Sequence, residues 1–137
     1  MRILVHFHTA NKKTDLIAFV DSGAIENFVS QGFIDEHKLG TRRLLISEKI
    51  INADGSRNRG GDITKYTDLE VLTGDVVMTL RFYVADFDKD QLVLGYPWLA
   101  TNPIIDWTKG TVGATVTLRT SGAAAKAPEK AAIVAGC

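Results

Sequence analysis

Apolar and polar positions alternate along "RILVHFHT": Ile3, Val5 and Phe7 fall on one side, and Leu4, His6 and His8 on the other. That is the period of a β-strand. "ANKK" reads as a turn, and "TDLIAFV" as a second, more apolar strand that runs directly into Asp21. A mixed segment then leads into "SQGFIDEHKLG", whose spacing predicts a short helix. Ser30 can cap its start, Phe33, Ile34 and His37 share a face, and Gly40 suits its end. "LLISEKII" predicts a strand, followed by the polar, glycine-bearing "NADGSRNRGGD" at residues 52–62, which between strands reads as a long, mobile hairpin. "ITKYTDLEVLTGDVVMTLRFYVADF" supplies strands around a turn at Thr73, Gly74 and Asp75, and "QLVLG" is a fully apolar strand of the buried type. "YPWLATN" predicts one or two helical turns, with Pro97 tolerated in the first turn and Asn102-Pro103 as a stop. "IIDWTKGTVGATVTL" reads as a last hairpin. The chain thus divides into a mostly β domain over residues 1–119, with two short helices, and an Ala-rich tail or linker over residues 120–137 that has no core pattern.

Composition narrows the function classes more than it names one. At 137 residues, with 45% hydrophobic and 23% charged residues, the chain is most simply one globular domain. Sixteen basic and sixteen acidic residues cancel to a formal net charge of zero, so nothing general draws it to nucleic acid or to an anionic membrane. The single cysteine, Cys137, excludes an internal disulfide and fits a reducing compartment without requiring one. No apolar stretch approaches membrane-spanning length, and "MRILVHFHT" is too short and too polar for a signal peptide. The expectation from totals alone is a soluble intracellular domain.

Three local features could carry chemistry. His6 and His8 stand two apart on one strand face, a spacing that can bind a metal. With His37 as the only other histidine and no adjacent acid, the usual ligand set is incomplete, and a solvated strand face is the better reading. "DFDKDQ" places Asp86, Asp88 and Asp90 like the opening of a calcium loop. Gln91 stands where such a loop needs glycine and Pro97 where it needs glutamate, so this is a charged turn. The third feature is Asp21-Ser22-Gly23-Ala24. These are common turn residues, and the tetrapeptide gains meaning only from its context. It ends an apolar strand, and a second buried strand, "LVLG", later ends on a glycine and a helix.

That ordered set resembles the retropepsin-type aspartic proteases, specifically the protease domain of gypsy-type LTR retrotransposon polyproteins. The likeness spans almost the whole folded chain. It rests on "AFVDSGA", on "INADGSRNRGGDITKY", on "RFYVADFDKDQLVLGYPWL" and on "NPIIDWTKGTV", the last two being the most specific. The resemblance implies a retropepsin-like closed β-barrel (the acid protease fold) with one or two short helices and a flap hairpin. It also implies an active site assembled by a homodimer, and the single Asp-Ser-Gly requires the same by stoichiometry: two facing carboxylates need one Asp21 from each copy. In the family pattern Ser22 hydrogen-bonds across the dimer axis to the partner's backbone, and Gly23 lets the backbone approach the carboxylate and the substrate. Ala24, Ile25, Val93 and Leu94 border the substrate, Gly95 packs against the active-site loop, and Asp54, Gly55, Ser56, Arg57, Asn58, Arg59 and Gly60 form the flap. The implied substrate is an extended peptide or polyprotein, with no cofactor, no metal, no nucleic acid and no membrane involved. The implied location is the cytoplasm, within virus-like particles.

Two departures stand out. Many retroviral relatives pair an acid two residues beyond the glycine of Asp-Ser-Gly with an arginine directly after the "LVLG" glycine; here the positions hold Ile25 and Tyr96. Both partners of that ion pair are replaced together, so no buried charge is stranded, but the dimer must be held by other contacts. Gypsy-type sequences usually carry threonine where Ile25 stands. The second departure is the flap tip "DGSRNRG", more polar and basic than the retroviral glycine-rich tip, so substrate preference does not carry over. The leading expectation is an endopeptidase that cuts its own retroelement polyprotein. The alternative is a catalytically inactive retropepsin-fold dimerisation or binding module, against which the intact Asp21, Ser22 and Gly23 argue.

Overall fold

A computed structural model describes residues 1–48, 63–85 and 92–120 of the chain. The elements run β1 (Arg2–His8), β2 (Lys13–Val20), β3 (Asn27–Ser30), α1 (Gln31–His37), β4 (Arg42–Glu48), β5 (Ile63–Thr73), β6 (Val76–Ala85), β7 (Leu92–Leu94), α2 (Tyr96–Leu99), β8 (Ile105–Asp106), β9 (Thr111–Val112) and β10 (Val116–Thr120). Seven strands close into a barrel in the order β10-β1-β2-β7-β3-β6-β5, with β5 pairing back to β10. The fold is mostly β with two short helices, as the sequence predicts for a retropepsin-like domain. The long β5 serves two neighbours along one edge. Its first residues pair with β4, through Tyr66 opposite Arg42, and its last with β10, through Leu69 opposite Thr120.

The alternation in β1 decides which way the barrel faces. Ile3, Val5 and Phe7 are buried with Ala18 and Val20 of β2, Val29 of β3, Leu69 and Val71 of β5, Phe82 and Val84 of β6, Leu92 and Leu94 of β7, and Leu118 of β10. Burial of that many aliphatic and aromatic side chains, each contributing about 1.5–3 kcal/mol, is what stabilises closure. A second cluster, Phe28, Ile63, Tyr66, Tyr83 and Ala85, lies on the other side of β3 and β6. β3 is therefore buried on both faces.

Ser30 caps α1 as expected, its Oγ accepting the Phe33 N–H at 3.0 Å. Phe33 packs edge-on against Phe7 with centroids 5.2 Å apart, and the His37 ring lies 4.9 Å from Phe7 and 4.4 Å from Phe33. The helix ends sooner than Gly40 suggests. Lys38 itself takes the left-handed cap conformation at φ 53°, and its N–H points back to the carbonyls of Asp35 and Ile34. Packing of the Phe33–His37 face against Phe7 fixes where the last turn stops, so the cap falls on a residue that tolerates it poorly.

Three further differences from the sequence reading concern strands. Asn27–Ser30 forms β3, parallel to β6 and antiparallel to β7, where the sequence reads as a mixed lead-in. The last segment is not one hairpin: β8 and β9 pair only with each other among the described residues, and β10 enters the barrel between β1 and β5. His6 also has an acid beside it, because antiparallel pairing puts Asp15 opposite and its Oδ1 lies 2.6 Å from His6 Nδ1. Even so, no group of three or more His, Cys, Asp or Glu side chains among the described residues could hold a metal. No helix among them is long and apolar enough to cross a membrane.

The expected flap at residues 52–62, the charged turn at 86–90 and the tail from 121 lie outside the described residues. β10 carries regular structure through Thr120.

Candidate active site

β2 and β7 run parallel, Phe19 beside Val93 and Val20 beside Leu94, so both core strands reach the same edge of the barrel together. Where they end, the Asp21 N–H donates to the Leu94 carbonyl at 3.0 Å, extending the pairing by one residue. Beyond that point the chain turns. The Ala24 N–H returns to the Asp21 carbonyl at 3.1 Å, and the Gly23 N–H donates to Asp21 Oδ1 at 2.8 Å. The carboxylate is thereby oriented by its own loop while remaining open to solvent, as are Ser22 and Gly23. Position 23 is tight: a Cβ there would sit 3.3 Å from Asp21 Oδ1, and the carboxylate would have to give by a few tenths of an ångström to admit it.

A second glycine braces the loop from below. A Cβ on Gly95 would stand 2.1 Å from the Glu26 carbonyl oxygen and 2.8 Å from that of Ala24, so the two backbones touch where no side chain could fit. The Tyr96 N–H donates to the Ala24 carbonyl at 2.8 Å. Asn27, which is completely buried, completes the brace. Its Oδ1 accepts the Gly95 N–H at 2.8 Å and its Nδ2 donates to the Arg81 carbonyl at 3.4 Å. One side-chain amide thus ties the start of α2 to β3 and β6. Sequence reasoning singled out Gly95 but missed Asn27. The signal was an amide inside an otherwise apolar "NFV" stretch, where a polar group is retained only if its partners are fixed.

The expected substrate-bordering residues divide. Ile25 is 78% exposed beside the loop, and Ala24 is half-buried against the second cluster together with Val93. Leu94 lies beneath: its side chain is wholly buried in the main core, and it meets the loop through its carbonyl. Parallel pairing with β2 decides this, since Leu92 and Leu94 must point inward if Val93 points outward. The flap residues Asp54, Gly55, Ser56, Arg57, Asn58, Arg59 and Gly60 lie outside the described residues.

A closed barrel of this size, with an exposed Asp-Ser-Gly at the end of one core strand and a glycine brace at the end of its parallel neighbour, defines a retropepsin-like protease domain. The family described as the PEG10/RTL1 protease domain matches residues 17–118, and the chain belongs to it: a retropepsin-like domain derived from a gypsy retrotransposon Gag-Pol polyprotein. Comparison with solved structures gives no significant match.

Proposed function

We propose that the chain is one half of an aspartic endopeptidase, completed by a second copy that supplies the other Asp21. The observation that carries this reading is the Asp21 carboxylate, open to solvent yet fixed at both ends of its residue. Its N–H bonds to the Leu94 carbonyl and its Oδ1 accepts from Gly23. Two such carboxylates at close range cannot both ionise, so the pair holds one proton. The ionised member takes a proton from a water as its oxygen attacks the peptide carbonyl carbon. The protonated member donates to the carbonyl oxygen, and collapse of the tetrahedral species releases the amine with a proton returned to it. The chemistry proceeds through no covalent enzyme intermediate.

The substrate is an extended polypeptide bound by its backbone, with side chains alternating into pockets, and the natural target is the retroelement polyprotein of which the domain is part. The test compares the native chain with Asp21→Asn on an unstructured polypeptide at about pH 5, where a proton-sharing pair works. Cleavage is expected from the native chain only, rising more steeply than linearly with concentration because the site exists only in the dimer. Equal cleavage by both chains defeats the reading. A demonstrated dimer that cuts nothing leaves a binding module in its place.

A further inference from the structure

β6 runs beside β5 along its whole length, in unbroken register from Tyr66 opposite Tyr83 to Thr73 opposite Val76. Its other side is taken by β3 from Phe82 to Ala85 only. Among the described residues, Val76 to Leu80 therefore have a strand on one side and none on the other. Gly74 to Thr79 are all exposed, with Val76 and Val77 at 50% and Met78 at 42%.

Asn27 shows which backbone groups face that open side. Its Nδ2 donates to the Arg81 carbonyl, and Asn27 belongs to β3, so Arg81 turns its backbone groups away from β5. Alternation sends those of Thr79 and Val77 the same way, while Val76, Met78 and Leu80 turn theirs to β5. Open edges in soluble proteins usually carry a charge, a proline or a bulge that discourages pairing. β4, the last strand of its sheet, has Arg42 and Arg43 and a shift of register between Arg43 and Glu48. The run Val76-Val77-Met78-Thr79-Leu80 has none of these.

We propose that this edge of β6 pairs antiparallel with the same edge of a second copy of the chain, about a twofold axis at Met78, joining two barrels through one continuous sheet. Self-complementarity selects this occupant. The register sets Val76 opposite the partner's Leu80, Val77 opposite the partner's Thr79, and Met78 opposite its own copy. The backbone groups of Val77 and Thr79 then face their counterparts. Asp75 falls opposite the partner's Arg81, so opposite charges meet at both ends of the pair, and a twofold axis at Val77 or Thr79 would put them out of line. Arg81 is fixed in position by Asp68 at 3.3 Å and by the Tyr66 ring at 3.8 Å. Val77 lies about 13 Å along β6 from Arg81 and the Asn27 brace. The surface is separate from the Asp21 loop, and the inference does not depend on the catalytic reading.

The only cysteine is Cys137, so a Cys137→Ser background makes an introduced thiol unique. Met78→Cys and Val77→Cys are placed in it singly, and the full chains are oxidised with diamide, which accepts the two hydrogens given up as two thiols join. Across an axis at Met78 the facing Cα atoms stand about 4.5 Å apart, within disulfide reach, whereas Val77 and its copy stand beyond about 7 Å. Non-reducing gels should show at least about tenfold more covalent dimer for Met78→Cys than for Val77→Cys. Two further changes are combined with Met78→Cys, each chain being shown folded by circular dichroism. Val77→Pro removes an N–H that faces the open edge and leaves the ladder to β5 intact. Asp75→Arg sets like charges at both ends of the pair, and if the proline chain does not fold it decides alone. Each should lower the covalent dimer about tenfold. Absence of a Met78→Cys dimer, equal or greater yield from Val77→Cys, or indifference to the folded second-site variants overturns the edge pairing. Peptide cleavage by the same chains is read alongside: cleavage that persists where no cross-link forms removes this edge and leaves the Asp21 reading standing.

Discussion

Among the described residues, two turns set an aspartate close to a glycine at the end of a core strand, one at Asp21-Ser22-Gly23 and the other at Gly74-Asp75. The second is a hairpin turn. Gly74 takes φ +60°, its strands β5 and β6 pair with each other from Thr73 opposite Val76 onward, and its aspartate is exposed with no part in the pairing. The first joins strands that do not pair with each other. Its conformation comes from β7 and the start of α2, through the Leu94 carbonyl, the Gly95 backbone and the buried Asn27 amide. A hairpin turn is set chiefly by the backbone angles of its own residues, and here one bond from another segment is added, from the Gly74 N–H to the Thr115 carbonyl at 3.0 Å. The Asp21 carboxylate takes its direction from Gly23 in its own loop, and that loop is held in turn by three other segments, the kind of support a fixed reacting group needs.

The contrast can be broken most sharply at the two acids. Asp21→Asn should lower peptide cleavage by about a thousandfold or more, the scale on which loss of a reacting group acts, whereas Asp75→Asn should leave cleavage within experimental scatter. Initial rates on the same unstructured substrate compare them. The glycines come next. Gly95→Ala forces a Cβ to 2.1 Å from the Glu26 carbonyl oxygen, and relief requires the Ala24–Glu26 backbone or the start of α2 to move. A loss of about 3 kcal/mol or more is expected in urea unfolding. Gly74→Ala meets Ala114 Cβ only at 3.3 Å but must hold φ +60°, a cost of about 1–2 kcal/mol. If the two alanine variants unfold alike, the brace under Asp21 is weaker than its geometry implies.

Asn27→Leu tests the same brace from its other partner. The Gly95 N–H and the Arg81 carbonyl each lose the amide that satisfied them, for a loss of about 2 kcal/mol. Cleavage should fall further than the unfolded fraction accounts for, because the carboxylate's support loosens in the folded molecule. The smallest effect is expected at Arg119→Ala. Its Nε lies 2.7 Å from Glu70 Oε1 across the β10–β5 pair, but the two side chains are 44% and 26% exposed, and solvent keeps such a pair below about 1 kcal/mol. Thermal unfolding of this variant measures how little of the barrel closure is electrostatic.

Sequence legibility followed the range of the interaction. β1, β2, β5, β6 and β7 could be read because alternation or a solid apolar run reports burial residue by residue, and the Ser30 cap could be read because its partner, Phe33, is three residues away. β3 could not. All four of its residues are buried, two of them polar, so neither period nor composition marks it. The His6–Asp15 pair was hidden for a related reason, since nine residues separate the partners and only the antiparallel register of β1 and β2 makes them neighbours.

By itself, the sequence determined which residues can end a core strand on an acid, which helix start is capped and which family the chain resembles. Each of these depends on a residue and its near neighbours. Only the tertiary structure decided that Leu94 turns inward and lends the loop just its carbonyl, that β10 closes the barrel between β1 and β5, and that Asn27 meets Gly95 across 68 residues of chain. Those outcomes depend on which strands lie side by side once the core is buried, and a linear pattern carries that information only in the sum of all its contacts.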